Sequence, residues 1–314
     1  MRLIVRADAN PVIGAGHIMR LSSIIEESIS RKIETYFVGN IDEMDWVRER
    51  LENIAGLHFV GNSIGFNPNK VSDVLLLDSY TLDVNDPFLD PNRWKSVVTV
   101  VDDLTPPYKS DLRIHPGLLM DWPADLNVLC GQSFIPIRRK LSHLQNQINS
   151  GKLRIVIVGG GTDLFEFGLS VAEALRNLEL DFEAIVFLKS EKSLPFEDSR
   201  FQFREIGNSL DEVTDRAELI LTTASTTCLE FIALEKAIGV LCGIENQVDY
   251  YKRITENGLA APLGRYGGGA WSVNSDLLRK LIVDETFRKA LQARTEGFID
   301  GKGCQRILDE ILKL

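Results

Sequence analysis

Short apolar segments alternate with longer amphipathic segments along the chain, and this alternation occurs twice. The first series comprises LIV, TYFVG, VLLLD and SVVTVVDD, and the second comprises RIVIVGGG, EAIVFL, ELILTT and GVLCGI. Strands of continuous apolar character separated by helices are typical of parallel sheets buried on both faces. The pattern therefore predicts an α/β protein made of two doubly wound, Rossmann-like domains.

A polar, glycine-containing stretch at residues 149–152 separates the two series. Such stretches are typical of domain boundaries. We therefore expect an N-terminal domain over residues 1–149 and a C-terminal domain over residues 150–314. Because open α/β sheets bind ligands at the carboxyl ends of their strands, we expect the ligand in a cleft between the two domains.

Composition and net charge argue against two classes of binding partner. The 314 residues are 44% hydrophobic and carry a formal net charge of -10, which argues against a nucleic-acid groove or an anionic membrane surface. The apolar run in MRLIVRADAN is too short for a signal sequence, so we expect a soluble, cytoplasmic protein. We expect the four widely spaced cysteines to be reduced. They are Cys130, Cys228, Cys242 and Cys304.

The segment NPVIGAGHIMRLSS places His17 between a glycine pair and an amphipathic run. Apolar residues from Ile18 to Ile29 recur at helical spacing, so a helix should begin near Gly16 with His17 in its first turn. The partial positive charge of a helix N-terminus disfavours imidazolium, and a neutral histidine can accept a proton from water. Gly14 and Gly16 would let a ligand approach the backbone. The alternative is a histidine that only caps or packs this helix.

Three strand-to-helix turns in the second half of the chain suggest a nucleotide diphosphate site. Free amides and hydroxyls at a helix N-terminus suit a diphosphate, whereas the alternative is an ordinary N-cap. Glu230, one turn into the STTCLE helix, is placed to accept hydrogen bonds from a ribose diol. The other candidate binding residues are Gly160, Gly161, Thr162, Ser225, Thr226, Thr227, Asn246 and Gln247.

The motifs together resemble a known family. RADANPVIGAGHIMR is similar to the opening of the UDP-sugar hydrolases of pseudaminic acid biosynthesis, which release UDP from UDP-2,4-diacetamido-2,4,6-trideoxy-β-L-altrose. LLLDSYTLD, TVVDDL, CGQSFIPIRRKL, GGGTD, ASTTCLE and ENQ resemble its later motifs in the same order, over roughly residues 1–265. The family has the glycosyltransferase-B architecture and needs no metal or other cofactor. The sequence beyond Gly264 has no clear counterpart in it.

The resemblance implies roles for four residues of the first domain. His17 matches the catalytic histidine and Tyr80 the tyrosine of the D-x-Y segment, where Ser79 replaces a frequent histidine. Asp8 and Arg20 match fixed members of the opening motif. The resemblance therefore makes Asp8, His17 and Tyr80 catalytic candidates and Arg20 a substrate-binding candidate.

The sequence thus predicts hydrolysis of a UDP-activated 2,4-diacetamido-trideoxy sugar, for surface-glycan biosynthesis. His17 would be general base on a water that displaces UDP with inversion at the anomeric carbon. Two alternatives stay open: a glycosyltransferase on the same scaffold, and a non-catalytic sugar-nucleotide-binding protein. Asp78, Asp102 and Asp103 also allow a metal site, although we expect none. The sequence leaves the oligomeric state open.

Overall fold

The structure is a computed structural model that describes residues 1–102, 108–118, 120–138, 151–189, 196–207 and 210–314. It divides into two compact units: unit 1 comprises Met1–Arg139 and Asp300–Leu314, and unit 2 comprises Lys140–Ile299. The predicted boundary at residues 149–150 lies outside the described residues.

Unit 1 contains a seven-stranded parallel sheet in the order β3-β2-β1-β4-β5-β6-β7. All five residues of β4 and of β5 are buried, which explains why their sequences, DVLLL and SVVTV, are mostly apolar. The strands are β1 (Arg2–Arg6), β2 (Glu34–Val38), β3 (Leu57–Val60), β4 (Asp73–Leu77), β5 (Ser96–Val100), β6 (Leu112–Ile114) and β7 (Val128–Leu129).

The two faces of this sheet are covered differently. One face packs against α1 (Gly16–Ser30) and α2 (Asp45–Glu52), which contribute apolar residues such as Ile18 and Val47 to the core. The other face is covered by the segment that holds Phe88 and Trp94, which runs through two short 3₁₀ turns. The Trp94 indole nitrogen donates to the Phe88 carbonyl at 2.8 Å, so its polar atom is satisfied in the core.

Unit 2 contains a second seven-stranded sheet in the order β10-β9-β8-β11-β12-β13-β14. Its strands pair in parallel except β14, which pairs antiparallel to β13 at the edge. The strands are β8 (Arg154–Val158), β9 (Glu183–Leu188), β10 (Phe201–Glu205), β11 (Leu219–Thr223), β12 (Ala237–Cys242), β13 (Ala261–Gly267) and β14 (Ala270–Val273).

Six described helices belong to unit 2. The core on one face of its sheet contains Val171 of α3, Leu281 of α7 and Leu291 of α8. The helices are α3 (Phe167–Arg176), α4 (Leu210–Thr214), α5 (Thr226–Ala233), α6 (Val248–Glu256), α7 (Ser275–Val283) and α8 (Glu285–Thr295). Among the described residues, no helix combines the length and the apolar character needed to cross a bilayer.

The C-terminal segment packs in unit 1, which differs from the range 150–314 expected for the second domain. Helix α9 (Gly303–Ile311) places Ile307 and Ile311 in the same core as α1. A Cβ atom at Gly303 would collide with the carbonyl of Ile135, so only glycine allows this approach. The amphipathic pattern of α9 indicates that one face is buried, but not which sheet buries it.

All four cysteines are free thiols. Cys228 and Cys304 are buried, whereas Cys130 and Cys242 are half-buried. Burial raises the pKa of the Cys228 thiol to about 12, so this side chain behaves as a small apolar group near neutral pH.

Candidate active site

The candidate site in unit 1 lies where three neighbouring parallel strands end. His17 is the second residue of α1, which follows β1, whereas Asp78 directly follows β4 and Asp102 comes two residues after β5. The order β1-β4-β5 brings these three chain segments to one edge of the sheet. Parallel sheets bind ligands at this edge, so the topology assembles polar side chains that are far apart in sequence.

His17 and Asp78 form a buried pair. The Nδ1 atom of His17 contacts Oδ1 of Asp78, and the two residues are 5% and 1% exposed. Burial alone would raise the pKa of Asp78, but the charge of Arg20 and the hydrogen bonds from Arg20 and His17 hold it well below its ordinary value. Because this carboxylate is ionised, the hydrogen on Nδ1 donates to it, which leaves Nε2 as the acceptor of the imidazole ring.

Arg20 joins Asp78 to Asp102. Its Nε and Nη2 donate to Asp78 at 2.5 and 2.7 Å, and its Nη1 and Nη2 donate to Asp102 at 2.9 Å each. Burial opposes the charge on Arg20, but the two carboxylates outweigh burial and raise its pKa well above the ordinary value. Arg20, taken from sequence as a substrate-binding candidate, thus has an internal role: its guanidinium fork compensates two carboxylates.

Tyr80 completes the network. Its hydroxyl donates to Oδ2 of Asp102, and its ring meets the His17 ring edge to face, with centroids 4.5 Å apart and an interplanar angle of 71°. Tyr80 is 57% exposed although His17 is buried. The structure therefore brings two of the three catalytic candidates together, with Tyr80 on the solvent side of the histidine.

Asp8, the third catalytic candidate, has a different set of partners. It accepts hydrogen bonds from both terminal nitrogens of Arg6, at 2.6 and 2.8 Å, and from the Asn40 amide at 2.8 Å. In the part of the chain that the structure describes, these bonds do not join Asp8 to the His17 network. They fix the loop after β1 against the loop after β2.

The two glycines before His17 have distinct geometries. Gly14 has a φ of 83°, and its amide donates to the Asn10 carbonyl at 2.7 Å in the turn that leads to α1. Gly16 is exposed, and no heavy atom lies within 4 Å of the position that a Cβ would take. The residue that caps α1 is Ala15, which offers no side-chain acceptor to the first amides of the helix. The backbone beside His17 is therefore accessible.

The metal alternative rests on Asp78, Asp102 and Asp103. Arg20 occupies the position between Asp78 and Asp102, where a cation held by both carboxylates would have to lie. Among the described residues, no group of three or more histidine, cysteine or acidic side chains has the geometry of a metal site. Asp103 lies outside the described residues.

In unit 2, the N-terminus of α5 lies directly beyond the end of β11. Ser225, the N-cap residue, is extended, and its side chain makes no capping hydrogen bond. The first amides of a helix have no intrahelical acceptor, so those of Thr226 and Thr227 are open to an anion. Glu230 lies one turn further along this helix and is 9% exposed.

A glycine-rich turn follows β8, the strand that lies next to β11 in the sheet. Gly160 has a φ of 86° and no heavy atom within 4 Å of a notional Cβ, whereas a Cβ at Gly159 would meet Phe167 at 2.8 Å. Gly161 and Thr162 follow, both half-buried. Asp163 then accepts the amide hydrogen of Gly168 at 2.8 Å, which ties the turn to α3. Burial raises the pKa of Asp163.

The turn after β12 contains Asn246 and Gln247 within a 3₁₀ turn over Glu245–Gln247. Asn246 is exposed, whereas the Gln247 side-chain oxygen accepts the Gly243 amide hydrogen at 2.9 Å. Because β8, β11 and β12 are adjacent, the structure brings all three predicted nucleotide-binding turns to one edge of unit 2.

No protein-family model matches the chain. The chain is 21% identical over 268 residues to the UDP-2,4-diacetamido-2,4,6-trideoxy-beta-L-altropyranose hydrolase of Campylobacter jejuni subsp. jejuni serotype O:2. This match covers 79% of the chain and 93% of that protein. It supports the resemblance found in the motifs.

Solved glycosyltransferase structures share the fold. Acinetobacter baumannii MurG superposes with a TM-score of 0.64 at 12% identity and covers 100% of both chains. The spinosyn forosaminyltransferase SpnP superposes with a TM-score of 0.69 at 14% identity, covering 100% of this chain and 98% of its own. The calicheamicin glycosyltransferase CalG4 superposes with a TM-score of 0.62 at 14% identity, and it covers 100% of this chain and 98% of its own. These likenesses confirm the predicted fold class, two α/β units of the glycosyltransferase-B type.

The pKa of Asp78 predicts how stability depends on pH. Since the folded-state pKa lies below the unfolded value of about 3.9, the stabilisation is fully present above that value. It is lost as the pH falls through the folded-state pKa. Asp78→Asn should therefore be less stable than wild type at pH 7, by about 3–5 kcal/mol for a broken buried pair. The difference should shrink below about pH 3.9.

Urea unfolding of both proteins between pH 3 and pH 7 measures this difference. Asp86→Asn is a matched control, because Asp86 accepts from the Phe88 amide outside the network. A stability difference between Asp78→Asn and wild type that stays constant down to pH 3 would contradict the account.

Proposed function

We propose that this chain is an enzyme that hydrolyses a UDP-activated sugar to UDP and the free sugar. The observation that carries the proposal is the His17–Asp78 pair, which presents Nε2 of a buried histidine as a proton acceptor. The similarity to a UDP-sugar hydrolase supports the choice of substrate class. By the same similarity, the sugar belongs to the 2,4-diacetamido-trideoxy class.

The network around His17 suits a general base. With a neutral imidazole, Asp78, Asp102 and Arg20 sum to one net negative charge, and an imidazolium at His17 brings the sum to zero. Proton transfer from water to Nε2 therefore neutralises a buried cluster, because Asp78 stabilises the imidazolium. Positioned bases of this kind contribute about 10²–10⁴-fold to a rate.

Unit 2 supplies the groups for the leaving nucleotide in this proposal. The open amides of Thr226 and Thr227 donate hydrogen bonds to the diphosphate, and Glu230 accepts hydrogen bonds from the ribose hydroxyls. The turn at Gly160, Gly161 and Thr162 and the turn at Asn246 and Gln247 line the same edge. Since UDP is a good leaving group, the reaction needs a placed water and a base more than it needs a strong acid.

A glycosyltransferase is the second candidate, and the solved structures of similar fold favour it. In that case His17 would deprotonate an acceptor hydroxyl in place of water. A non-catalytic binding protein explains the network less well, because a binder gains nothing from a buried histidine aligned by an ionised carboxylate. Products formed without an acceptor distinguish the three candidates.

His17→Ala should abolish release of UDP from a UDP-sugar in the absence of an acceptor. We expect kcat to fall by about 10²–10⁴-fold, with UDP affinity nearly unchanged because unit 2 holds the nucleotide. A panel of UDP-2,4-diacetamido sugars, with UDP quantified by chromatography and binding by calorimetry, tests both statements.

His58→Ala is the matched control, since His58 is exposed and stacks on Tyr36. It should keep wild-type turnover. If His17→Ala retains more than about a tenth of the wild-type kcat, His17 is not the base. If wild type releases UDP only when an acceptor is added, the chain is a transferase.

The stereochemistry of the product tests the displacement itself. A single base on one face of the anomeric carbon, with UDP leaving from the other face, inverts the configuration. The first sugar formed should therefore have the anomeric configuration opposite to that in the UDP-sugar. Proton NMR recorded before mutarotation measures it, and treatment with EDTA should leave the rate unchanged. A retained configuration, or inactivation by EDTA reversed by a divalent ion, would reject the mechanism.

A further inference from the structure

The edge hairpin of unit 2 belongs to the part of the sequence that no family motif explains. Strands β13 and β14 are joined at Gly268 and Gly269, whose φ values are 61° and 85°. Two consecutive positive φ values are typical of a tight two-residue hairpin turn. Arg265 pairs with Cys242, the last residue of β12, so the hairpin continues past the end of β12 at the edge assigned to the nucleotide.

The glycine-rich turn after β8 continues into an unusual backbone. Asp163, Phe165 and Glu166 have φ values of 47°, 52° and 52°, which residues other than glycine rarely adopt. Phe165 is also 43% exposed, so burial of its side chain does not explain this conformation. Such a backbone persists only when surrounding contacts hold it.

The hairpin supplies those contacts. The Trp271 indole nitrogen donates to the Phe165 carbonyl at 3.0 Å, and the Tyr266 ring stacks on the Phe165 ring with centroids 4.0 Å apart and an angle of 8°. Trp271 also meets the Phe167 ring edge to face at 5.0 Å. A Cβ at Gly243 would lie 3.0 Å from Trp271 and 3.2 Å from Leu164, so glycine lets these segments close together.

We infer that Trp271 and Tyr266 are positioning residues that hold the turn at residues 160–166 in its nucleotide-binding conformation. The inference rests on the proposed function, because it assigns the turn to the diphosphate of a nucleotide. Neither residue needs to touch the ligand. Their effect passes through the Phe165 backbone, which lies three residues after Thr162, the last of the predicted ligand residues Gly160, Gly161 and Thr162.

Trp271→Phe tests the inference, because it removes the indole N–H and keeps an aromatic ring against Phe167. Hydrogen exchange should become faster at the amides of residues 164–168, among them the Glu166 amide that donates to Asp163. UDP affinity, measured by calorimetry, should fall by about three- to tenfold, the loss expected for one hydrogen bond.

Val273→Ala is the matched control, since Val273 lies on the same strand and packs against the core of unit 2. It should lower the thermal midpoint without changing exchange in the turn or UDP affinity. If Trp271→Phe behaves like Val273→Ala, the hairpin has only a structural role and the inference is overturned. If wild type does not bind UDP, the proposed function fails, and exchange at residues 164–168 alone decides the role of Trp271.

Charge at the same edge supports a second, independent inference. The turns assigned to the nucleotide, at residues 159–162, 225–227 and 246–247, contain no lysine or arginine. Arg265 pairs with Cys242, and Leu241 pairs with Thr223, so Arg265 lies level with Ala224. Ala224 directly precedes Ser225, the N-cap residue of α5. Two strand spacings, about 10 Å, separate the backbones of Arg265 and Ala224.

The Arg265 side chain is exposed at this position. Its guanidinium forms no hydrogen bond or ion pair with the part of the chain that the structure describes. The pairing of β12 with β13 places the Arg265 backbone beside Cys242, at the end of β12. We propose that Arg265 binds the diphosphate of the nucleotide, which also rests on the proposed function.

Binding of UDP and of uridine to Arg265→Gln tests this second inference. Loss of a hydrogen bond to a charged group should weaken UDP binding by about 10- to 150-fold and leave uridine binding unchanged. Wild-type affinity for UDP should also depend more steeply on ionic strength than that of the variant. Arg294→Gln is the control, because it removes the same charge at a different place. Arg294 lies beside Gly258, which precedes the start of β13, so this variant should bind UDP like wild type.

Glu230→Ala separates this inference from the proposed function. If Glu230→Ala weakens UDP binding and Arg265→Gln does not, the nucleotide site stands and Arg265 is not part of it. If Arg265→Gln weakens UDP and uridine equally, Arg265 does not bind the diphosphate. Absence of UDP binding to wild type contradicts the proposed function itself.

Discussion

The carboxylate of Asp78 is buried at the end of β4 and carries its charge in the interior of unit 1. A buried charge is costly unless it is paired and hydrogen-bonded, so the surroundings of Asp78 have to supply cations and donors. Arg20 and His17, both on the first turns of α1, supply them. This requirement fixes how α1 meets β4 and therefore where the imidazole of His17 lies.

The same interaction determines which nitrogen of His17 can accept a proton. Asp78 accepts a hydrogen bond from the Nδ1–H of His17, so the ring can accept a proton only through Nε2. Arg20 shares its charge with Asp102, and Asp102 in turn accepts the hydroxyl of the exposed Tyr80. The network therefore runs from a buried carboxylate to a side chain in contact with solvent, which is the arrangement expected of a base that serves an incoming water.

Local patterns were sufficient to predict the fold class and the positions of most strand ends. Mostly apolar runs marked β4, β5, β8 and β11, and polar or glycine residues close to their ends marked the turns. The packing of α9 in unit 1 escaped prediction, because an amphipathic helix has a buried face whichever sheet it covers. Tyr80 and Arg20 came from the family resemblance rather than from spacing, and the resemblance gave no indication of Arg20's internal role.

The link between His17 and Asp78 could not be deduced from the sequence, because 61 residues separate them and the contact depends on the pairing of β1 with β4. The available signal was an acidic residue within two positions of the ends of two neighbouring strands. The metal hypothesis for Asp78 and Asp102 used this signal for a different chemistry. In the structure Arg20, a cation supplied by the chain, lies between these two carboxylates. The hairpin contacts of Trp271 had no sequence signal, since they depend on how the edge strand β14 pairs with β13.

The central claim is that His17 directs water to the anomeric carbon of a UDP-sugar, and the position of the broken bond tests it most directly. Hydrolysis in ¹⁸O-labelled water, followed by mass spectrometry of the UDP product, locates that bond, because phosphate oxygens do not exchange with solvent under these conditions. Attack at the sugar carbon leaves UDP without label, which is the result the account predicts. Label in the terminal phosphate of UDP would show attack at phosphorus and would contradict the account.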